Sequence, residues 1–317
     1  MSRRLPPLVT VFGGGGFVGR YVVEMLCKSG VRVRVAQRSA KRAFFLQPLG
    51  GIGQIDVVRA DVTDAAAVAA AVSGADAVVN LVAIMGRRAH DVNVGGAANI
   101  AKAAAKVGAK ALVQVSAIGA DANGQSLYAR SKGDAEAAVR KAFPEATIIR
   151  PSLVFGPEDQ LTNRFAGLLA LLPVYPVIAS NSRFQPVYVR DLASAIAKAA
   201  LDPSRHGGEI YEIGGPEVMT MRELTAQIAS LAGQDTNLID LPDPVSGLIA
   251  KFGWLPGAPL TNDQWLMLQK DNVVGKKAAG LSAFGIEPTS LSAVGSEWLG
   301  RFREGGRFAA RRTELAA

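Results

Sequence analysis

Tyr128 and Lys132 have the side-chain types and spacing that most directly suggest chemistry. They stand four positions apart, so on a helix they lie one turn apart on the same face and can reach one ligand. A phenol has a pKa of about 10 and is a poor acid at neutral pH, so it needs a neighbouring positive charge that lowers this pKa. The pair therefore suggests proton transfer at an oxygen atom, although a tyrosine four positions before a lysine is also a common chance pattern.

Ser116 and Asn93 are polar residues that can be grouped with this pair. Ser116 follows the fifth predicted strand, where it could orient a substrate carbonyl or hydroxyl. Asn93 begins a predicted helix and could hold a proton-relay water, but it could equally cap that helix. The candidate catalytic residues are Ser116, Tyr128, Lys132 and Asn93.

A glycine run from Gly13 to Gly19 follows the first predicted strand and opens a helix. Gly13 permits a tight turn, Gly16 lets the backbone approach a pyrophosphate, and Gly19 lets the helix lie close to the strand. Free N–H groups and the helix dipole favour the negative pyrophosphate at this N-terminus, whereas Phe17 is expected to pack. A flexible connector would also be rich in glycine, but this run sits at the first strand-to-helix turn of a whole series. It therefore predicts a dinucleotide site.

The end of the second predicted strand indicates which dinucleotide binds. An acidic residue about 20 positions after the glycines would bind the ribose 2′-OH of NAD, and this sequence has none there. Arg38 is placed to pair with the 2′-phosphate of NADP, with Ser39 and Arg42 as further contacts. The alternative is that these charges are simply solvated. We expect NADP(H) rather than NAD(H).

Asp61 follows the third predicted strand and could accept a hydrogen bond from the adenine amino group. It could equally cap the helix that begins near Asp64. The full set of predicted cofactor contacts is Gly13, Gly15, Gly16, Phe17, Val18, Gly19, Arg38, Ser39, Arg42, Asp61, Val62, Leu81, Val82, Ala83, Tyr128, Lys132 and Pro151.

The elements that position these residues are short apolar strands that alternate with alanine-rich helices. This alternation predicts an α/β Rossmann fold, a doubly wound parallel sheet, with a smaller discontinuous C-terminal lobe. We assign residues 1–157 and 185–215 to the nucleotide-binding domain, 158–184 and 216–300 to the lobe, and 301–317 to a solvated basic tail. The predicted strands are Leu8–Phe12, Val31–Ala36, Ile55–Arg59, Ala77–Val82, Ala111–Val115, Thr147–Ile149 and Ile210–Ile213.

Composition limits the function classes. Hydrophobic residues make up 49% of the 317 residues and the net charge is +8, which favours phosphorylated ligands or acidic surfaces. The single cysteine, Cys27, indicates a reducing compartment. The first strand begins by Leu8 and no apolar run is long enough to span a bilayer, so we expect a protein of the cytosol or of a membrane face.

Several other site types are not expected. His90 and His206 are the only histidines and lack cysteine partners, so a zinc site is improbable and no metal is assigned. No nucleophile-elbow motif or paired-carboxylate pattern suggests a hydrolase. The basic residues are not interleaved with aromatic ones, so nucleic acid is not expected as a partner.

Two apolar segments, Leu168–Leu172 and Val245–Leu255, raise the question of a membrane surface. Apolar residues on a short helix beside Lys251 could rest at a bilayer interface, or they could form the core of the smaller lobe.

From about Val9 to Leu291 the chain resembles an extended or atypical short-chain dehydrogenase/reductase. The resemblance implies a bound dinucleotide whose nicotinamide, together with Lys132, lowers the pKa of Tyr128. The residues that fall where this family has its motifs are Gly13, Gly16, Gly19, Asp61, Asn80, Asn93, Ser116, Tyr128, Lys132 and Arg150–Pro157.

A narrower resemblance is to the NDUFA9-like branch, which includes a respiratory complex I accessory subunit that holds NADPH and relatives linked to coenzyme Q synthesis. It implies a structurally held NADP(H), contact with complex I or quinone-biosynthesis proteins, and a peripheral place on the cytoplasmic face of the inner membrane for a bacterial-type member. The segments concerned are Phe143–Ala146, Phe155–Asp159, Asn163–Phe165 and Gln185–Val189 with Asp191.

Two departures bear on activity. Asn80–Ala83 replaces the Asn-Asn-Ala-Gly tract of catalytic members, and only Ile84–Val92 separates it from Asn93. An accessory or assembly factor of a quinone-linked membrane complex is therefore the first hypothesis. An NADPH-dependent oxidoreductase acting on a carbonyl or quinone is the second. A nucleotide-sugar epimerase or dehydratase is the third, and the missing acidic residue after the second strand counts against it.

Overall fold

The computed structural model describes residues 5–255, 260–303 and 306, and the chain divides into two compact units. The first comprises the chain up to Pro151 together with Val189–Ile213 and Gly275–Glu287. The second comprises Ser152–Tyr188, Gly214–Val274 and the chain from Pro288 onward. These bounds differ from the predicted ones by a few residues at Pro151 and Val189. The return of Gly275–Glu287 to the first unit was not predicted.

A seven-stranded sheet forms the centre of the first unit, and every pairing within it is parallel. Its strand order is β7-β6-β5-β4-β1-β2-β3, which confirms the predicted Rossmann-type α/β fold. Central strands such as β1 are buried along their whole length, as a sheet covered on both faces requires. The strands are β1 Leu8–Phe12, β2 Arg32–Gln37, β3 Ile55–Arg59, β4 Ala77–Asn80, β5 Ala111–Val115, β6 Thr147–Pro151 and β7 Ile210–Ile213.

Four of the six described helices of this unit begin at a side-chain cap or directly after a glycine. Ser126 accepts a hydrogen bond from the backbone N–H of Ala129 and so caps α4, which begins at Leu127. A π-helical segment, His90–Gly95, precedes α3 and contains Asn93. The helices are α1 Phe17–Lys28, α2 Ala65–Val72, α3 Gly96–Lys106, α4 Leu127–Ala142, α5 Val189–Leu201 and α6 Pro203–His206.

The second unit consists of short helices with three two-stranded sheets. Phe155 stacks on Tyr188 and on Trp298, with ring centroids 5.6 and 6.4 Å apart, and this aromatic group is buried. The strands are Val154–Phe155, Val174–Val177, Arg183–Phe184, Val187–Tyr188, Met219–Thr220 and Asn237–Asp240. The helices are Gln160–Leu169, Met221–Leu231, Asp243–Lys251, Asn262–Leu268, Leu291–Val294 and Ser296–Leu299.

The apolar segments of this unit are largely exposed, contrary to the interpretation that they form its core. Leu171 is 79% exposed, Leu248 57% and Trp254 77%, while Leu169 and Ala250 point inward. The predicted basic tail lies mostly outside the described residues. In its first part Arg301 and Arg303 are exposed, as expected of a solvated tail, and Arg301 also donates to Asn163 Oδ1 over 2.6 Å.

Candidate functional site

The glycine turn between β1 and α1 has the geometry that the sequence predicted. Gly13 has φ +80°, and its carbonyl accepts the backbone N–H of Gly16. A Cβ on Gly19 would meet Gly14 Cα at 2.6 Å, so only glycine lets α1 lie this close to the turn. Phe17 opens α1 and packs edge-on against Tyr21 rather than lining the groove.

A groove of about 270 Å³ runs along the carboxyl ends of β1 to β4. Eight of the predicted cofactor contacts line it: Gly13, Gly16, Arg38, Asp61, Val62, Leu81, Val82 and Ala83. Six further lining residues were not predicted: Ala36, Gln37, Ala60, Ile84, Arg88 and Val92. The predicted contacts that do not line it are Gly15, Phe17, Val18, Gly19, Ser39, Arg42, Tyr128, Lys132 and Pro151.

Gln37, the last residue of β2, takes the place where an NAD-binding protein carries its carboxylate. Its Oε1 accepts the N–H of Gly15 at 3.2 Å, and its Nε2 donates to the carbonyl of Ser39 at 2.6 Å. The amide thus joins the glycine turn to the segment that carries Arg38. Arg42 is exposed outside the groove.

Asp61 does not cap α2, so that alternative is wrong. Asp64 is the cap and accepts the N–H groups of Ala66 and Ala67. Asp61 Oδ1 instead accepts both the backbone N–H and the hydroxyl of Thr63, and these two bonds are the chief reason that its pKa lies below the ordinary value. The nearby guanidinium groups of Arg38 and Arg88 lower this pKa further.

Two asparagines shape the chain after β4. Asn80 donates to Gln114 Oε1 at 2.8 Å, and its own Oδ1 accepts the N–H of Val82. Asn93 is 2% exposed; its amide accepts the N–H of Ile84 and donates to the Ile84 carbonyl and to Ser131 Oγ, each at 2.9 Å. The interpretation of Asn93 as a helix cap is therefore wrong. The Asn93 side chain instead holds the backbone of Ile84, which lines the groove.

Tyr128 and Lys132 lie on α4 as predicted, with Lys132 Nζ 5.9 Å from the centroid of the Tyr128 ring. Lys132 is 2% exposed and donates to the carbonyl of Val115 over 2.8 Å. Burial lowers its pKa to about 8 against the opposing charge of Glu136. Burial also raises the pKa of Tyr128. The lowering of that pKa by Lys132 together with a bound nicotinamide stays a prediction.

Ser116 lies just beyond β5, and its Oγ is buried without a hydrogen-bond partner among the described residues. Its backbone N–H is bound to the carbonyl of Ile149, and Pro151 accepts the N–H of Ile118. A buried hydroxyl without a partner is costly unless a ligand completes it. The turn at Gly13 and the groove with Arg38 and Arg88 fit a nicotinamide dinucleotide, and Ser116 lies outside the residues that line this groove.

The family model described as the NAD dependent epimerase/dehydratase family matches residues 9–214. A mitochondrial protein of Arabidopsis thaliana, NADH dehydrogenase (ubiquinone) 1 alpha subcomplex subunit 9, is 33% identical over 319 residues, covering 94% of this chain and 79% of that protein. Ceramide reductase of Caulobacter vibrioides is 32% identical over 241 residues, covering 75% of this chain and 74% of that protein.

Among solved structures, an NADPH-dependent quinone oxidoreductase of Escherichia coli complexed with NADPH superposes with a TM-score of 0.74. The match covers 91% of this chain and 99% of that chain at 20% identity. UDP-glucose 4-epimerase of Thermotoga maritima gives a TM-score of 0.69 at 18% identity, covering 92% of this chain and 97% of that one. At these identities the likeness concerns the fold alone.

Proposed function

Because the chain belongs to the NAD dependent epimerase/dehydratase family, in its NDUFA9-like branch, we propose that it holds NADP(H) as an accessory protein of a quinone-linked membrane complex. The observation that supports this proposal most directly is at the end of β2. There Gln37 and Arg38 line the groove, and no carboxylate is present. A carboxylate there would repel a 2′-phosphate, whereas a guanidinium binds one.

The surroundings of Tyr128 and Lys132 support a cofactor that stays bound rather than one that is consumed in a reaction. The Lys132 ammonium is already bonded to the Val115 carbonyl at 2.8 Å, and it lies 5.9 Å from the centroid of the Tyr128 ring. The relatives named as complex I subunits match nearly the whole chain, which supports complex I or quinone-biosynthesis proteins as partners.

An active NADPH-dependent oxidoreductase is the second candidate, and Ser116 favours it. Its partnerless hydroxyl could bind a substrate oxygen, Tyr128 could give that oxygen a proton, and Lys132 could hold ribose hydroxyls. When bound, the dinucleotide supplies the hydride. The substrate class in this candidate is a carbonyl or a quinone. Two relatives are named as reductases. An epimerase or dehydratase is a weaker candidate, since the carboxylate expected for NAD is missing.

Peripheral membrane contact on the cytoplasmic face forms part of the proposal. Among the described helices, none has the length and apolar character needed to cross a bilayer. Leu248, Phe252, Trp254 and Leu255 are nonetheless exposed in one short segment with Lys251, which suits an interfacial position.

Mass spectrometry of the purified protein under denaturing conditions tests the cofactor. We expect NADP(H) to copurify, to exchange slowly and to resist oxidation by added quinones and carbonyls. Arg38→Ala should lower NADPH affinity about tenfold or more, whereas Arg42→Ala, which removes an exposed arginine outside the groove, should change it little. A cofactor-free protein without NADPH affinity would refute the proposal. Rapid oxidation that is lost in Tyr128→Phe would establish the oxidoreductase instead.

Flotation with vesicles containing anionic lipid tests the membrane contact. Wild type should float with the vesicles, and Leu248→Ser with Trp254→Ser should reduce the bound fraction severalfold. Ile52→Ser is the matched control, because Ile52 is a fully exposed apolar residue that belongs to the first unit and not to this segment. Equal binding by all three proteins would show that the apolar segment is not a membrane contact.

A further inference from the structure

Arg88 is a second cation on the groove that the family motifs do not account for. It belongs to the chain after β4, while Arg38 belongs to the chain after β2. Because β4 and β2 flank β1 in the sheet, the two arginines enter the groove from either side of the strand that carries the glycine turn.

The backbone at Arg88 is held in place before any ligand binds. Asn93 fixes both backbone groups of Ile84, and Gly86 turns the chain with φ +91°. The N–H of Ala89 donates to Gly86, and the carbonyl of Arg88 accepts the N–H of Val92. The position of the arginine is thus set, and only its side chain must order on binding, which keeps the entropic cost small.

The charges around the groove indicate why a second arginine is needed to bind a phosphate. Asp61 lies close enough to interact with both Arg38 and Arg88, so its carboxylate offsets one of the two positive charges. With Arg38 alone, this part of the groove would be neutral and would bind a phosphate of nearly two negative charges poorly. The side chain of Arg88 makes no hydrogen bond or close ion pair within the described part of the chain, so its donors are available.

We propose that Arg88 and Arg38 form a two-guanidinium clamp for the 2′-phosphate of the adenosine ribose. This inference rests on the proposed NADP(H) function and assigns Arg88 as a specificity-determining residue. Each guanidinium presents a planar fork of donors that matches phosphate oxygens, and binding from two sides fixes the phosphate relative to Asp61 and the adenine.

The test compares Arg88→Ala with Arg87→Ala, since Arg87 is the exposed neighbour that does not line the groove. Binding of NADPH, NADH, adenosine 2′,5′-bisphosphate and AMP is measured by calorimetry, with thermal melting as a check on folding. Arg88→Ala should weaken binding of the two 2′-phosphorylated ligands about tenfold or more and change that of NADH and AMP less than threefold. Arg87→Ala should match wild type, and Arg88→Lys should recover part of the loss.

Equal losses for NADPH and NADH would overturn the clamp in favour of contact with the adenine or pyrophosphate. Wild-type NADPH affinity retained in Arg88→Ala would overturn it as well, while leaving the proposed function standing. A wild-type protein without NADPH affinity would refute both the clamp and the proposed function.

Discussion

The carbonyl of Val115 accepts two side-chain hydrogen bonds, from Lys132 Nζ at 2.8 Å and from Gln114 Nε2 at 3.1 Å. Lys132 is thereby tied to the end of β5, next to Ser116. The cost is a nearly fully buried ammonium, which is why the pKa of Lys132 falls to about 8. Such an arrangement favours binding at the expense of stability.

Lys132→Met should therefore stabilise the protein while weakening its site. The thioether fills similar space without a buried charge, and Gln114 keeps the Val115 carbonyl paired. We expect the free energy of unfolding at pH 7 to rise by about 1–3 kcal/mol and NADPH affinity to fall about tenfold. Urea unfolding and calorimetry measure the two effects, and Lys102→Met, at an exposed position, should change neither.

The same lysine predicts a pH dependence. Its pKa is about 8 in the folded chain against an ordinary 10.5, so between these values the unfolded chain binds more protons and stability rises with pH. Below pH 8 the contribution of Lys132 to the free energy of unfolding is constant. Wild type should gain stability over this window relative to Lys132→Met. A constant difference between the two across the window would contradict the buried ammonium.

Asn93→Ala should loosen the groove loop. It removes three hydrogen bonds and leaves both backbone groups of Ile84 without their side-chain partner, at a cost of about 2–3 kcal/mol. Since Ile84 lines the groove, dinucleotide affinity should fall with stability. Urea unfolding and calorimetry read out both, and Asn123→Ala, on an exposed turn, is the control. Intact affinity in Asn93→Ala would mean that the loop does not contact the ligand.

Substitutions of Asp61 and Asp64 should have different effects, on cofactor preference and on stability respectively. Asp64→Ala removes the cap of α2 and should cost about 1 kcal/mol of stability without changing NADPH affinity. Asp61→Asn keeps an oxygen for the Thr63 bonds but removes the charge beside Arg38, so preference for NADPH over NADH should rise roughly threefold or more. Thermal melts and ligand titrations of both variants decide this, and an unchanged preference in Asp61→Asn would contradict it.

His206 should make the fold sensitive to acid. It stacks on Phe284 with centroids 4.5 Å apart and its Nδ1 lies 2.9 Å from the Tyr211 hydroxyl. Burial, together with the charges of Arg205 and Lys198 and against that of Asp202, lowers the pKa of His206. Below the ordinary value of 6.5 the unfolded chain takes up the proton first, so stability falls as pH falls.

Melting curves from pH 7.5 to 5.5 measure this effect. The stability difference between wild type and His206→Gln should shrink towards acid pH, while His90→Gln, at an exposed position, should parallel wild type throughout. Parallel curves for wild type and His206→Gln would exclude His206 as the source.

The sequence by itself determined the Rossmann sheet. Buried parallel strands appear as short apolar runs, and tight turns appear as glycines, so both can be recognised from neighbouring residues alone. β1, β3, β5 and β7 have their predicted bounds, and the groove contains Gly13, Gly16 and Arg38 as expected. Helix starts were less predictable. A π-helical segment, His90–Gly95, precedes α3, and α4 begins at a side-chain cap, Ser126; a periodic pattern encodes neither.

Only the tertiary structure decided which distant side chains meet. Asn93 after β4 donates to Ser131 on α4, and Arg88 after β4 lines the same groove as Arg38 after β2. Local spacing could not reveal that Lys132 is buried with its amine on Val115 or that the Ser116 hydroxyl is left without a partner. Residue type and spacing determine which chemistry is available, whereas packing sets the desolvation and hydrogen bonding that decide how each group behaves.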